Sequence, residues 1–225
     1  MAIFALEYSC THYLRLEACY LLPIIMKFFC LNIETATDRR EHCDREFAKA
    51  GIDVMYVSAF ETRRNNIRHN NIHYKIGHLG CYLSHLRLME EIRRYDYSPA
   101  MIFEDDVWLV DDFKNKLDEA MLTLPGDWEV AFVGWWPEHF NYGQLHTEPV
   151  GPHWQRMVSG VLWGCHCYVI NGKKGGDKLM QILQPINGHV DDVLLWAIVQ
   201  GHVKGYFLQQ PLADQTGTFK SQTNA

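Results

Sequence analysis

The sequence predicts an α/β fold built on a mostly parallel central sheet. Two patterns carry that prediction. Short apolar runs alternate with helix-period segments along most of the chain, and one run, Ala100-Met101-Ile102-Phe103, passes directly into three carboxylates, Glu104, Asp105 and Asp106. A continuous apolar run suits a strand buried on both faces, as a parallel sheet requires. At 225 residues and 48% hydrophobic content the chain can bury one sizeable core. A net charge of -6 without a basic stripe argues against nucleic acid as a main partner.

The elements follow in order. Residues 1–25 are apolar but broken by Glu7, Arg15 and Glu17, so they make neither a signal sequence nor a spanning helix of about 20 apolar residues. They are expected to be an extension: either an upstream-start artefact or an amphipathic helix lying on the domain or on a membrane surface, the one place where membrane contact is expected. Residues 26–225 then form a single domain. Residues 27–33, KFFCLNI, predict a strand. Thr37 or Asp38 caps a helix with Cys43, Phe47 and Ala50 at helical spacing and Gly51 as its stop. Residues 52–60 give a second strand, completing a strand-helix-strand unit. Residues 61–71 read as an exposed basic loop.

Residues 77–94 predict a helix that buries Leu83, Leu86, Met89 and Ile92, with Ser84 and His85 near its start. The apolar strand and its acids come next, then a helix capped by Asp111 or Asp112 and ended by Pro125-Gly126. Residues 129–134 give another strand. Residues 135–155 show no period and read as a long functional loop, whose Trp135, Trp136, Tyr142 and Trp154 either stack on sugar faces or cluster among themselves. Residues 161–170 form a strand, the Gly-Lys-Lys-Gly-Gly stretch a turn, and 177–183 a helix. Asp191 and Asp192 open a final apolar helix, where capping and the helix dipole favour them on structural grounds alone.

Seven cysteines without a CxxC pair point to a reducing, cytoplasmic compartment. Cys165 and Cys167 are expected on one strand face as packed thiols rather than as ligands. In an extended chain Glu104 and Asp106 project together while Asp105 points away. Two hard oxygen ligands suit Mg2+ or Mn2+; the other reading is a solvated acidic turn.

The segments LNIETATDRR (31–40), GCYLSH (80–85), MIFEDDV (101–107), WGCHCYVI (163–170), HVDDVLLW (189–196) and PLADQ (211–215) occur in this order. Together they resemble glycosyltransferase family 25, which includes bacterial lipooligosaccharide galactosyltransferases and collagen hydroxylysine galactosyltransferases. The resemblance implies a GT-A type, Rossmann-like nucleotide-sugar-binding fold with its site at the carboxyl ends of the strands. It also implies inverting transfer of a hexose, galactose foremost, from a UDP-sugar donor to a hydroxyl of a glycan, lipooligosaccharide or hydroxylysine-type acceptor.

By the same resemblance EDD stands for the DxD element. Asp106 then ligates Mn2+ or Mg2+ directly, and Glu104 assists through the ribose or a metal-bound water. Asp191 is the candidate base, with Asp192 as fallback. Asn32, Arg40, Ser84, His85 and Asp105 fall at donor-binding positions, although Arg40 fits a helix-surface charge equally well. His189 and His202 are candidates for the late metal-binding histidine of some enzymes of this fold. The end at Ala225, without a second domain, favours a small glycan or lipid-linked acceptor. A sugar nucleotidyltransferase would need a glycine-rich loop that LNIETATDRR lacks; a non-catalytic carbohydrate-binding protein would retain the fold without the chemistry.

Overall fold

The computed structural model describes residues 26–61, 76–137, 145–160 and 162–219. The N-terminal extension, nearly all of the basic loop and Tyr142 lie outside the described residues. β1 (Lys27–Asn32), α1 (Thr37–Ala50) and β2 (Val54–Ser58) form the expected unit, with the two strands parallel. α2 (Ile76–Tyr95) returns the chain to β3 (Ala100–Glu104), parallel to β1 on its other side. Then follow β4 (Val107–Leu109), α3 (Phe113–Met121), β5 (Val130–Pro137), β6 (His146–Pro149), β7 (Trp154–Ser159) and β8 (Leu162–Ile170). The last elements are α4 (Gly172–Ile182), α5 (Val190–Val199), β9 (Gly205–Leu208) and β10 (Ala213–Gln215).

The strand order is β2-β1-β3-β8-β5-β9-β7-β6, with β10 pairing β4 and β5. The sheet is mixed. It is parallel across β2, β1 and β3 and between β5 and β9, but β8 enters antiparallel between β3 and β5, and β7 and β6 close the far side antiparallel. A parallel half joined to an antiparallel half is the GT-A type arrangement. The carboxyl ends of β1, β3 and β5 therefore share one edge, where open α/β sheets place ligands.

Strand alternation splits the core between the two faces. Phe29, Leu31, Ala100 and Ile102 pack against α2, α4 and α5, while Phe28, Cys30, Met101 and Phe103 pack against α1 and α3. Ala100 to Phe103 are fully inaccessible, which explains the unbroken apolar run. Among the described residues no helix is long and apolar enough to cross a membrane.

Four local expectations need correction. Ala36, rather than Thr37 or Asp38, is the N-cap of α1, and it makes no side-chain cap bond; Gly51 does terminate the helix in the left-handed conformation. The Gly-Lys-Lys-Gly-Gly stretch belongs to α4. Its glycines are there for close approach: a Cβ on Gly175 would stand 2.3 Å from the carbonyl oxygen of Glu129. Of the expected loop's described residues, 135–137, 146–149 and 154–155 are strand, because Trp135 and Trp136 continue β5 and Trp154 opens β7. Trp154 is fully buried, with Nε1 donating to the Ala120 carbonyl at 2.7 Å, so it cannot stack on a sugar. Finally, Cys165 and Cys167 pack into opposite cores, because the β5–β8 register shifts around Gly134 and breaks the alternation.

Candidate active site

A cavity of about 730 Å³ opens at the carboxyl edge of β1 and β3, a size typical of small-molecule sites. Its floor is the turn after β3. Asp105 points into the protein: Asn32 Nδ2 donates to its Oδ2 and Arg39 Nη1 to its Oδ1, each at 2.8 Å. Arg39 Nη2 also donates to Asp106 Oδ2 at 2.8 Å, so one guanidinium clamps both aspartates. The other oxygen of Asp106, Oδ1, is buried without a hydrogen-bond partner among the described residues. Glu104 turns the opposite way, with Oε1 facing His85 Nε2 at 3.2 Å and Oε2 accepting from Gln215 Nε2 at 3.0 Å.

Three carboxylates crowd here against the one guanidinium of Arg39, and the protonation equilibria register it. Burial, then the charge of Glu104, pushes the Asp106 carboxyl up to about 7 despite Arg39. Burial likewise pushes Asp105 up, against the pull of Arg39 and Asn32. Burial acts the same way on Glu104, but the hydrogen bond and field of His85, with the field of His166 and the hydrogen bond from Gln215, outweigh it and leave that carboxyl below its ordinary value. A deficit of positive charge beside an unpartnered carboxylate oxygen is what a hard divalent cation would complete. Asp106 Oδ1 could serve such an ion without giving up a hydrogen bond seen among the described residues, whereas both Glu104 oxygens already face His85 and Gln215.

α2 forms one wall. Ser84 Oγ donates to the Gly80 carbonyl and accepts from the Phe60 backbone N–H, both at 2.6 Å, which ties the segment after β2 to the helix. His85 is buried, and its Nδ1 lies 2.7 Å from the Tyr168 hydroxyl. The start of α5 forms another wall, contributing His189, Val190 and Asp191. Trp136, Trp163 and Phe219 line the cavity as well; Trp136 and Trp163 are register partners across β5 and β8, each more than a third exposed.

The structure thus gathers Ser84, His85, Glu104, Asp105, Asp106, Asp191 and His189 around one cavity. Asn32 supports it from below through Asp105. Asp192 is exposed on the next position of α5 and does not line the cavity, although its backbone N–H donates to Asp191 Oδ1 at 3.1 Å. His202 lies away from the cavity, its ring beside Trp196. Arg40 is not brought to the cavity either: it is exposed, with its guanidinium 3.9 Å above the Tyr56 ring. The preceding residue, Arg39, holds the site instead. Sequence reasoning missed it, yet Arg39, Cys43 and Phe47 recur at four-residue spacing and all three are buried on one stripe of α1. Trp163 was also missed.

The fold is of the GT-A type, with an acidic cavity at its carboxyl edge. The chain belongs to glycosyltransferase family 25: residues 25–194 match the model described as "Glycosyltransferase family 25 (LPS biosynthesis protein)". Among curated proteins, procollagen galactosyltransferase 2 of Mus musculus is 26% identical over 127 residues, covering 48% of this chain and 20% of the relative. The probable inactive glycosyltransferase 25 family member 3 of Rattus norvegicus is 34% identical over 61 residues, covering 26% and 11%. The match spans about a fifth of the length of the procollagen galactosyltransferase. Among solved structures, a glycosyltransferase involved in glycosylation of the major capsid of PBCV-1 aligns with TM-score 0.48 and 9% identity over 88% of this chain and 96% of that one.

Proposed function

We propose that this chain transfers a hexose, galactose foremost, from a UDP-sugar to a hydroxyl of a glycan or glycoconjugate acceptor, with inversion and with Mn2+ or Mg2+ as cofactor. The observation that carries the reading is the clamped acid cluster: Asp106, which lines a nucleotide-sized cavity at the carboxyl edge of a family 25 fold, has its Oδ1 buried without a hydrogen-bond partner among the described residues. Asp106 and Glu104 would hold the cation, which when bound supplies positive charge for the departing diphosphate.

The protein's own residues have defined tasks in this reading. Arg39 keeps the Asp105–Asp106 turn fixed, so no reorganisation is needed at the moment of reaction. Asp191 at the start of α5 takes the acceptor proton as the acceptor oxygen bonds to the anomeric carbon and the bond to the diphosphate breaks. Trp136 and Trp163 offer faces for sugar rings and help exclude water.

The reading is tested by UDP release from a panel of UDP-sugars, with Mn2+ and with chelator. Slow hydrolysis of one donor that chelator stops is the expected result. The similarity to a relative described as probably inactive favours a second reading, a non-catalytic carbohydrate-binding protein. Binding of UDP without release from any donor, simple acceptors included, would select it.

A further inference from the structure

Cys81 and His85 stand four residues apart on α2, one turn above the other on the same face, and Glu104 comes to meet them from the end of β3. The Cys81 thiol lies 3.7 Å from Glu104 Oε1, His85 Nε2 lies 3.2 Å from the same oxygen, and all three ligand atoms fall within 4.8 Å of one another. A tetrahedral zinc ion with its usual sulfur, nitrogen and oxygen bond lengths sets neighbouring ligand atoms roughly 3.3–3.7 Å apart. Of the three edges, the 3.7 Å one has that length and the 3.2 Å one falls just short of it.

The support behind the ligands is also in place. A histidine that binds metal through Nε2 carries its proton on Nδ1, and it is held by an acceptor there. The Tyr168 hydroxyl oxygen, 2.7 Å from His85 Nδ1, is such an acceptor. His85 and Tyr168 are both buried, which fixes the ring orientation. Cys81, His85 and Glu104 all line the cavity, leaving the fourth position of a tetrahedral ion open towards it.

We infer that Cys81, His85 and Glu104 form a thiolate-containing site for a soft divalent cation, zinc in the first place, beside the hard-cation site assigned to Asp106. Thiolate and imidazole select zinc over magnesium or manganese, so the two sites differ in ligand chemistry. Glu104 belongs to both, and occupancy by zinc withdraws it from the donor site. Zinc binding stands whether or not the chain is a transferase; inhibition of transfer by zinc rests on that reading.

Cobalt absorption on the full chain is the test, since it needs no donor sugar and no turnover. Cobalt bound through Cys81 gives an intense thiolate-to-metal charge-transfer band in the near ultraviolet, which equimolar zinc bleaches and excess Mn2+ does not. The band is expected to vanish in Cys81→Ser. If that variant does not fold, the same assignment is read in the wild-type chain from alkylation of Cys81, mapped by mass spectrometry, which zinc slows about tenfold or more and Mn2+ leaves unchanged. Absence of the band in the wild-type chain, its persistence in folded Cys81→Ser, or alkylation indifferent to zinc would overturn the inference.

Discussion

Arg39 Nη2 donates to Asp106 Oδ2 at 2.8 Å, while the other oxygen of Asp106 is buried without a hydrogen-bond partner among the described residues. One contact therefore fixes the carboxylate of a residue that lines the cavity and leaves its second oxygen without a hydrogen bond from the described residues.

Removing Arg39 strands the buried carboxylate of Asp105 and the part-buried one of Asp106. Losing one partner of a buried ion pair costs about 3–5 kcal/mol, so Arg39→Gln should lower the urea midpoint strongly without changing the slope. Arg39→Lys should recover little, because a point charge cannot reproduce the forked contact to Asp105 and Asp106. Arg40→Gln, by contrast, removes an exposed cation over Tyr56 and should cost less than about 1 kcal/mol. Equal costs for the two arginines would contradict the assigned geometry.

If Asp191 takes the acceptor proton, Asp191→Asn should slow transfer by about 100-fold or more while UDP affinity stays unchanged. Asp192→Asn should retain most activity, since Asp192 is exposed and outside the cavity. Steady-state rates paired with UDP titrations check both, and an undiminished rate in Asp191→Asn would place the base elsewhere.

The Asp106 carboxyl, raised to about 7 in the metal-free fold first by burial and then by Glu104, titrates near 3.9 when unfolded. The folded chain thus keeps a proton that the unfolded chain releases. This contribution to stability is complete below about pH 4 and is lost as pH rises through about 7. In chelator, melting temperature should fall less steeply over that window in Asp106→Asn than in the wild-type protein. Identical pH profiles would refute the buried-acid account.

Gly175 allows α4 to rest on the backbone near Glu129, where an added Cβ would come within 2.3 Å of a carbonyl oxygen. Gly175→Ala should therefore destabilise by about 1–3 kcal/mol, although alanine is the better helix former. A stabilised variant in thermal melts would mean that the helix does not pack there.

How much of this was legible depended on whether a signal was local. The run from Ala100 to Phe103 announced a doubly buried strand because burial on both faces leaves no polar position, and the adjacent acids marked its end as the candidate site. The clamp on those acids was harder to read. Consecutive residues on a helix point about 100° apart, so choosing Arg39 over Arg40 required the phase set by Cys43 and Phe47, not the motif alone. Gly-Lys-Lys-Gly-Gly looked like a turn since glycine is a poor helix former, whereas tertiary contact with Glu129 and Arg93 demanded it. Trp154 looked like a loop aromatic because the register linking it to β9 spans distant parts of the chain. The split of Cys165 from Cys167 arose from a shift in β5–β8 pairing that no single-strand pattern contains.

The most direct test of the central claim is calorimetry of UDP binding to the full chain, with Mn2+ and with chelator, in wild-type protein and in Asp106→Ala. The account predicts metal-dependent binding in the wild-type protein and loss of that dependence in the variant. Equal UDP affinity with the same Mn2+ requirement in both proteins would contradict the placement of the cation at Asp106.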